Sequence, residues 1–310
     1  MTKIILDGDP GHDDAIAWTL AQAEPSLEIL GITTVSGNQT IDKTTYNARR
    51  IATLIDYTGP IARGAAKPLM RPVMTAGSVH GESGLDGPAL PEPAPITDLR
   101  AVDLMDKIFR ETEGNITLVP TGPLTNIALF LLLYPEHRER IEHIYLMGGG
   151  IGFGNWTSAA EFNILVDPEA AKIVFDSGLP ITMAGLDVTE SALLYPDEFD
   201  RVRTHGGHVG DIIAEWLDFF YRFHAEKGYE GAPIHDAVAV LAITHPELFT
   251  MHDYFVDIDT DGVHTTGATV ADIYGRSGNA PNATVITDLD REAFLKVFLS
   301  LVEHYKEVRA

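Results

Sequence analysis

Short apolar runs alternate with stretches in which apolar residues recur every three to four positions along most of this chain of 310 residues. Brief unbroken runs suit strands buried on both faces, and the helical period suits helices with one face on a core. The first pattern predicts strands over 4–6, 27–35, 116–119, 144–147 and 180–184. The second predicts helices over 15–23, 42–56, 124–133 and 168–176, so strand and helix take turns as they do around crossover connections. The second half is richer in helix, over 209–227, 236–244 and 291–307. Residues 64–95 carry neither period and are crowded with Gly and Pro, which predicts a long loop of the kind that borders a binding site. The expected architecture is α/β, an open, mostly parallel sheet flanked by helices, in one domain spanning 1–310.

Composition narrows this picture. No apolar run approaches the roughly 18–20 residues of a membrane span. Met1-Thr2-Lys3-Ile4-Ile5-Leu6-Asp7 leaves no room for a secretory apolar segment, so a cytoplasmic location is expected. The absence of cysteine rules out disulfides and thiolate metal sites. A formal charge of −23 disfavours nucleic acid and anionic membranes as partners, since both need local positive charge.

The acidic residues are not evenly spread. Leu6-Asp7-Gly8-Asp9-Pro10-Gly11-His12-Asp13-Asp14-Ala15 packs four Asp between a strand and a helix. Ligands of open α/β sheets bind at that end of the strands. Asp13 and Asp14 suit the first turn of a helix, where the macrodipole favours negative charge. Adding Asp7 and Asp9 to the same turn builds repulsion that a hard, oxygen-bound cation such as calcium or magnesium relieves. The spacing is not that of an EF-hand, because the sixth and twelfth loop positions are His12 and Trp18. Asp-x-Asp after a first strand also fits an aspartate-nucleophile phosphohydrolase, an alternative that needs a downstream Lys. The chain holds no dinucleotide, Walker-type or Gly-x-Ser-x-Gly motif.

Asp7-Gly8-Asp9-Pro10-Gly11-His12-Asp13-Asp14 resembles the N-terminal signature of the inosine-uridine-preferring nucleoside hydrolase family. Further segments resemble that family in the same order: Thr33-Thr34-Val35-Ser36-Gly37-Asn38, His80-Gly81-Glu82-Ser83-Gly84, Val119-Pro120-Thr121-Gly122-Pro123, Met147-Gly148-Gly149, Asn155, Glu161-Phe162-Asn163 and Ile234-His235-Asp236. The resemblance spans about residues 3 to 300 and implies the nucleoside hydrolase fold, with its open Rossmann-like sheet. It implies hydrolysis of the bond between base and ribose by calcium-activated water, through an oxocarbenium-like state stabilised by acidic surroundings.

By that resemblance Asp9, Asp14, Asp236 and the Thr121 carbonyl bind Ca²⁺, and Asp9 also takes the proton of the attacking water. Asp13, Asn38, Asn155, Glu161 and Asn163 are expected to hold the ribose, with Asp236 touching it as well. His235 is expected to assist the departing base, and His80 to contact it from the loop. His12 is expected to pack behind the site and Asp7 to support the metal ligands. Tyr221, His224 and Tyr229 are candidate base contacts, and Trp156 and Trp216 leave room for purine stacking. His80 with His235 points to pyrimidine nucleosides or to both inosine and uridine. The family implies a homo-oligomer, a dimer or tetramer. A nucleoside- or sugar-binding protein without turnover, and a calcium-stabilised structural domain, remain open on sequence.

Overall fold

In the computed structural model, which describes residues 1–307, strand β1 (Thr2–Gly8) runs through the middle of an eight-stranded sheet. Successive side chains of a strand point to opposite faces. Ile4 and Leu6 therefore enter one core cluster and Ile5 the other, all three fully buried. That is why β1 reads as an unbroken apolar run rather than an alternation.

The remaining strands are β2 (Leu27–Thr34), β3 (Ile61–Arg63), β4 (Ile116–Pro120), β5 (Ile141–Met147), β6 (Ile181–Ala184), β7 (Leu193–Leu194), β8 (Ala232–Pro233), β9 (Phe249–Tyr254), β10 (Val256–Ile258), β11 (Thr269–Ala271) and β12 (Ala283–Leu289). The large sheet has the order β3-β2-β1-β4-β5-β6-β12-β9 and is parallel except for the antiparallel β12–β9 edge. β7 with β8, and β10 with β11, form separate two-stranded ribbons.

The helices are α1 (His12–Ala23), α2 (Ile41–Leu54), α3 (Gly77–His80), α4 (Ala101–Glu111), α5 (Thr125–Leu133), α6 (Phe162–Val166), α7 (Pro168–Phe175), α8 (Leu186–Thr189), α9 (Pro196–Glu226), α10 (His235–Thr244) and α11 (Arg291–Val302). α1, α2, α9, α10 and α11 share the core of Ile4 and Leu6. α4, α5 and α7 share that of Ile5, so helices cover both faces of the sheet.

Each strand and helix expected from the sequence is present, with small shifts at the ends. An unexpected helical segment precedes the one expected from 209: α9 begins at Pro196, because Pro196 occupies the first turn and Glu198 accepts the Tyr195 N–H at 2.9 Å. The run is broken at Gly207, whose φ of 55° only glycine adopts readily. The stretch 64–95 is mostly irregular as expected, but it contains α3 and is fastened to the body. Asn47 donates to the Ser83 carbonyl (3.0 Å), Arg50 to those of Leu90 (3.0 Å) and Pro91 (3.2 Å), and Thr53 to that of Glu92 (2.8 Å). No described helix is long and apolar enough to cross a membrane.

Candidate active site

The parallel strands deliver their following residues to one end of the sheet. Asp9 follows β1, Asn38 follows β2, Thr121 follows β4, Asn155 to Asn163 follow β5, and Thr189 and Glu190 follow β6. The chain enters α1 through its N-cap Gly11, whose N–H donates to Asp14 Oδ2 at 3.0 Å. Asp14 Oδ2 also accepts from Asn38 Nδ2 (3.3 Å), and its Oδ1 accepts from the Thr121 hydroxyl (2.7 Å). Asp9 Oδ2 accepts the Asn38 backbone N–H at 2.5 Å, while Oδ1 is buried without a partner. A Cβ on Gly37 or Gly122 would collide with the Asp9 carboxylate, so both glycines are needed for it to lie there. Asp7 stands behind: Oδ1 accepts from Thr33 (2.6 Å) and Asn126 (2.7 Å), and Oδ2 has no partner.

Carboxylate oxygens of Asp13, Asp14 and Asp236 lie within 4.8 Å of one another. Burial, and then the charge of Asp14, pushes Asp13 up to about 8. Asp14 rises by burial to about 6, with its hydrogen bonds opposing, and Asp9 and Asp236 move upward by burial and by neighbouring carboxylates. Lys227 is the one Lys or Arg among the described cavity-lining residues, beside the neutral histidines His80, His224 and His235. Crowded buried carboxylates, with unpartnered oxygens on Asp9 and Asp13, are a donor set that a hard cation fits. The compact triad contains Asp13, which the resemblance assigns to ribose. Asp9, assigned to the ion, lies just outside it and is coupled to it electrostatically.

Above these groups opens a cavity of about 350 Å³, within the range of small-molecule sites. Asp13, Asn38, Thr121, Glu161, Asn163 and Asp236 line its acidic part, and Asn155 lines it too. Glu161 caps α6, accepting from the N–H groups of Asn163 (2.8 Å), Gly149 (2.9 Å) and Ile164 (3.1 Å), yet burial still raises it to about 7. Asn163 Nδ2 donates to the carbonyls of Thr121 (3.0 Å) and Met147 (3.2 Å). Asn155 Oδ1 accepts the Phe162 N–H at 3.1 Å.

His235 opens α10, lines the cavity and has its Nδ1 2.9 Å from the Thr189 hydroxyl. Burial, and then His224, lowers it to about 3. His80 is buried on α3 and stacks on Phe220 at 5.3 Å. His12 packs behind it, Nδ1 to Nδ1 at 3.2 Å, with Nε2 2.8 Å from the Asp86 carbonyl.

Of the three candidate base contacts, His224 and Tyr229 line the cavity. Tyr221 does not; it packs on the core beside Phe199. Trp156 is at the rim, but Trp216 is fully buried in the core and offers no stacking face. Glu190, Phe153 and Phe220 also line the cavity and were not expected there from the sequence, while Phe223 and Lys227 fall in the same 221–229 stretch as the candidate base contacts. Glu190 caps the short helix α8 that follows β6, at the carboxyl end of the sheet where ligands bind.

Fold and site together define an α/β enzyme with a small polar cavity beside a buried cluster of carboxylates. Residues 4–296 match the family described as inosine-uridine preferring nucleoside hydrolase. The chain therefore belongs to the inosine-uridine preferring nucleoside hydrolase family, enzymes of nucleoside metabolism that hydrolyse N-ribosyl bonds. It is 51% identical over 306 residues to the pyrimidine-specific ribonucleoside hydrolase RihA of Escherichia coli O127:H6 (strain E2348/69 / EPEC), covering 97% of this chain and 98% of that one. The enzyme of the same name from Salmonella newport (strain SL254) is 51% identical over 307 residues, with coverage of 97% and 98%. Among solved structures, the purine-preferring ribonucleoside hydrolase from Gardnerella vaginalis superposes with a TM-score of 0.92 at 30% identity, covering 99% of this chain and 100% of that one.

Proposed function

We propose that this protein hydrolyses pyrimidine ribonucleosides to free base and ribose. The observation that carries the reading is the convergence of Asp13, Asp14 and Asp236 beside a cavity that His235 also lines. The two relatives named pyrimidine-specific, each 51% identical along nearly the whole chain, support the choice of base.

Asp9, Asp14, Asp236 and the Thr121 carbonyl would hold a hard divalent cation, calcium by the resemblance, which supplies Lewis acidity toward water and neutralises the carboxylates. Asp9 accepts the proton of the attacking water on its unpartnered Oδ1. Burial strengthens it as a base by raising its pKa. Asp13, Asn38, Asn155, Glu161 and Asn163 hold the ribose hydroxyls, and Asp236 touches the sugar as well, so binding away from the bond becomes orientation at it. The surrounding negative charge favours the oxocarbenium-like sugar. His235 Nδ1 lies 2.9 Å from the Thr189 hydroxyl, and in the tautomer whose Nδ1 accepts from it the ring proton sits on Nε2 to serve the departing base. His80 contacts the base. The working form is a cytoplasmic homo-oligomer of one-domain chains.

Ribose release from uridine, cytidine, inosine, adenosine and guanosine, with and without a chelator, tests this. The two pyrimidine nucleosides are expected to lead, chelation to abolish release, and added Ca²⁺ to restore it. Binding without ribose release from any of the five would instead mark a binding protein, and full turnover in metal-free enzyme would remove the cation from the reaction.

A further inference from the structure

The cavity has a second polar lining away from the acidic cluster. Glu190 Oε1 accepts from the Tyr229 hydroxyl at 2.8 Å. A phenol has one proton to give, so this bond leaves the Tyr229 oxygen with lone pairs only. His224 Nδ1 lies 2.9 Å from the Phe220 carbonyl, a group that only accepts, so the ring proton sits on Nδ1. Nε2 of the neutral ring is then an acceptor as well. Burial lowers His224 to about 4, which keeps the ring neutral near pH 7. Glu190 is half-buried; burial raises its pKa, the Tyr229 hydrogen bond opposes this, and the carboxylate that adds to it is Asp187 rather than the Asp13 cluster. All three residues line the cavity. The one Lys or Arg there, Lys227, lies 4.0 Å from the centre of the Phe223 ring, a cation–π pair.

Within this lining Glu190, Tyr229 and His224 offer acceptors only, and that wall discriminates between the pyrimidines at C4. Cytosine carries an exocyclic amino group with two N–H donors where uracil carries a carbonyl. The amino group's two N–H donors can serve Glu190 and one of Tyr229 and His224, while uracil turns a carbonyl to them at the same position and has only its N3–H to give. Building on the ribonucleoside hydrolase reading, we propose that Glu190, with Tyr229 and His224, is the specificity-determining group that reads the base amino group and makes cytidine the preferred substrate over uridine.

The test is kcat/KM for cytidine and uridine in the wild type, Glu190→Gln and Tyr229→Phe. Wild type is expected to favour cytidine by roughly tenfold or more, the discrimination that a hydrogen bond to a charged group carries. Gln keeps the shape and one carbonyl for Tyr229 but turns an NH₂ donor to the base. Cytidine should then fall and uridine rise, a gain that simple loss of packing does not produce. Tyr229→Phe removes one acceptor and should lower the ratio without reversing it.

Calorimetric binding of free cytosine and uracil reads the same lining without turnover. If no nucleoside releases ribose, the hydrolase reading fails, while cytosine preference lost in Glu190→Gln still upholds the lining. A wild type that treats the two bases alike or favours uracil overturns the proposal, as does a ratio unchanged by Glu190→Gln.

Discussion

The Thr189 hydroxyl lies 2.9 Å from Nδ1 of His235, tying α8 to the first residue of α10. The bond orients the imidazole, and if the hydroxyl donates it holds the tautomer with Nε2–H, so it should matter only where a base must be helped to leave. His235→Ala is expected to slow uridine or cytidine by about 10²–10⁴, the usual range for general acid–base catalysis. Thr189→Val should slow them less, in the same direction. A riboside of nitrophenol, which departs without a proton, should be largely spared by both. Asp9→Ala should damage natural and synthetic substrates alike. Equal losses on both substrates in His235→Ala would take the leaving-group role away from His235.

The carboxylate cluster makes stability depend on pH in an unusual direction. Burial holds Asp7 at about 7 and Asp13 at about 8, against an ordinary value of 3.8, and holds Glu161 at about 7 against 4.5. Between about pH 4 and 8 the unfolded chain has released protons that the fold retains. Their contribution to stability is complete below about pH 4 and drains away as pH rises through the folded values. The ion's expected ligand Asp14, raised by burial to about 6, would give up its proton to a bound cation. The difference in Tm between Ca²⁺-loaded and chelated protein should therefore widen from about pH 5 to about pH 8. A difference that stays constant over that range would mean the cluster does not bind the ion.

Discrimination between ribose and deoxyribose should be severe. Asp13 and Asn163 are buried and line the cavity, Asp13 Oδ1 has no partner in the protein, and a sugar lacking its 2′-hydroxyl leaves that oxygen unpaired. Rejection of deoxyuridine or deoxycytidine by roughly 10⁴ in kcat/KM is expected for a site of this kind. Comparable rates on the two sugars would show that these residues do not hold the hydroxyls.

Much of this was legible because strand ends and site coincide. Asp9, Asn38 and Thr121 each follow a strand whose apolar run is plain in the sequence. The C-terminal strands were harder to see. β9 reads Phe249-Thr-Met-His-Asp-Tyr254 and lies at a partly exposed edge, so little apolar pattern marks it. α4 did carry its signal, with Ala101, Val102, Leu104, Met105, Ile108 and Phe109 on one buried face, and it went unread. Inside the site, residue identity did not reveal surroundings. Trp216 and Trp156 look equivalent in the chain, yet one is sealed in the core and the other stands at the rim. Glu161 looks like another free carboxylate, and only the fold reveals that both its oxygens are occupied in capping α6.

The fastening of the 64–95 stretch bears on how such a protein could change its substrate over evolutionary time. Asn47, Arg50 and Thr53 grip it by the carbonyl oxygens of Ser83, Leu90, Pro91 and Glu92. Every amino acid brings that oxygen, so the anchoring is blind to which side chains the loop carries. Residues near His80 are thus free to mutate while the loop stays moored, leaving the pocket wall open to variation and the carboxylate floor untouched.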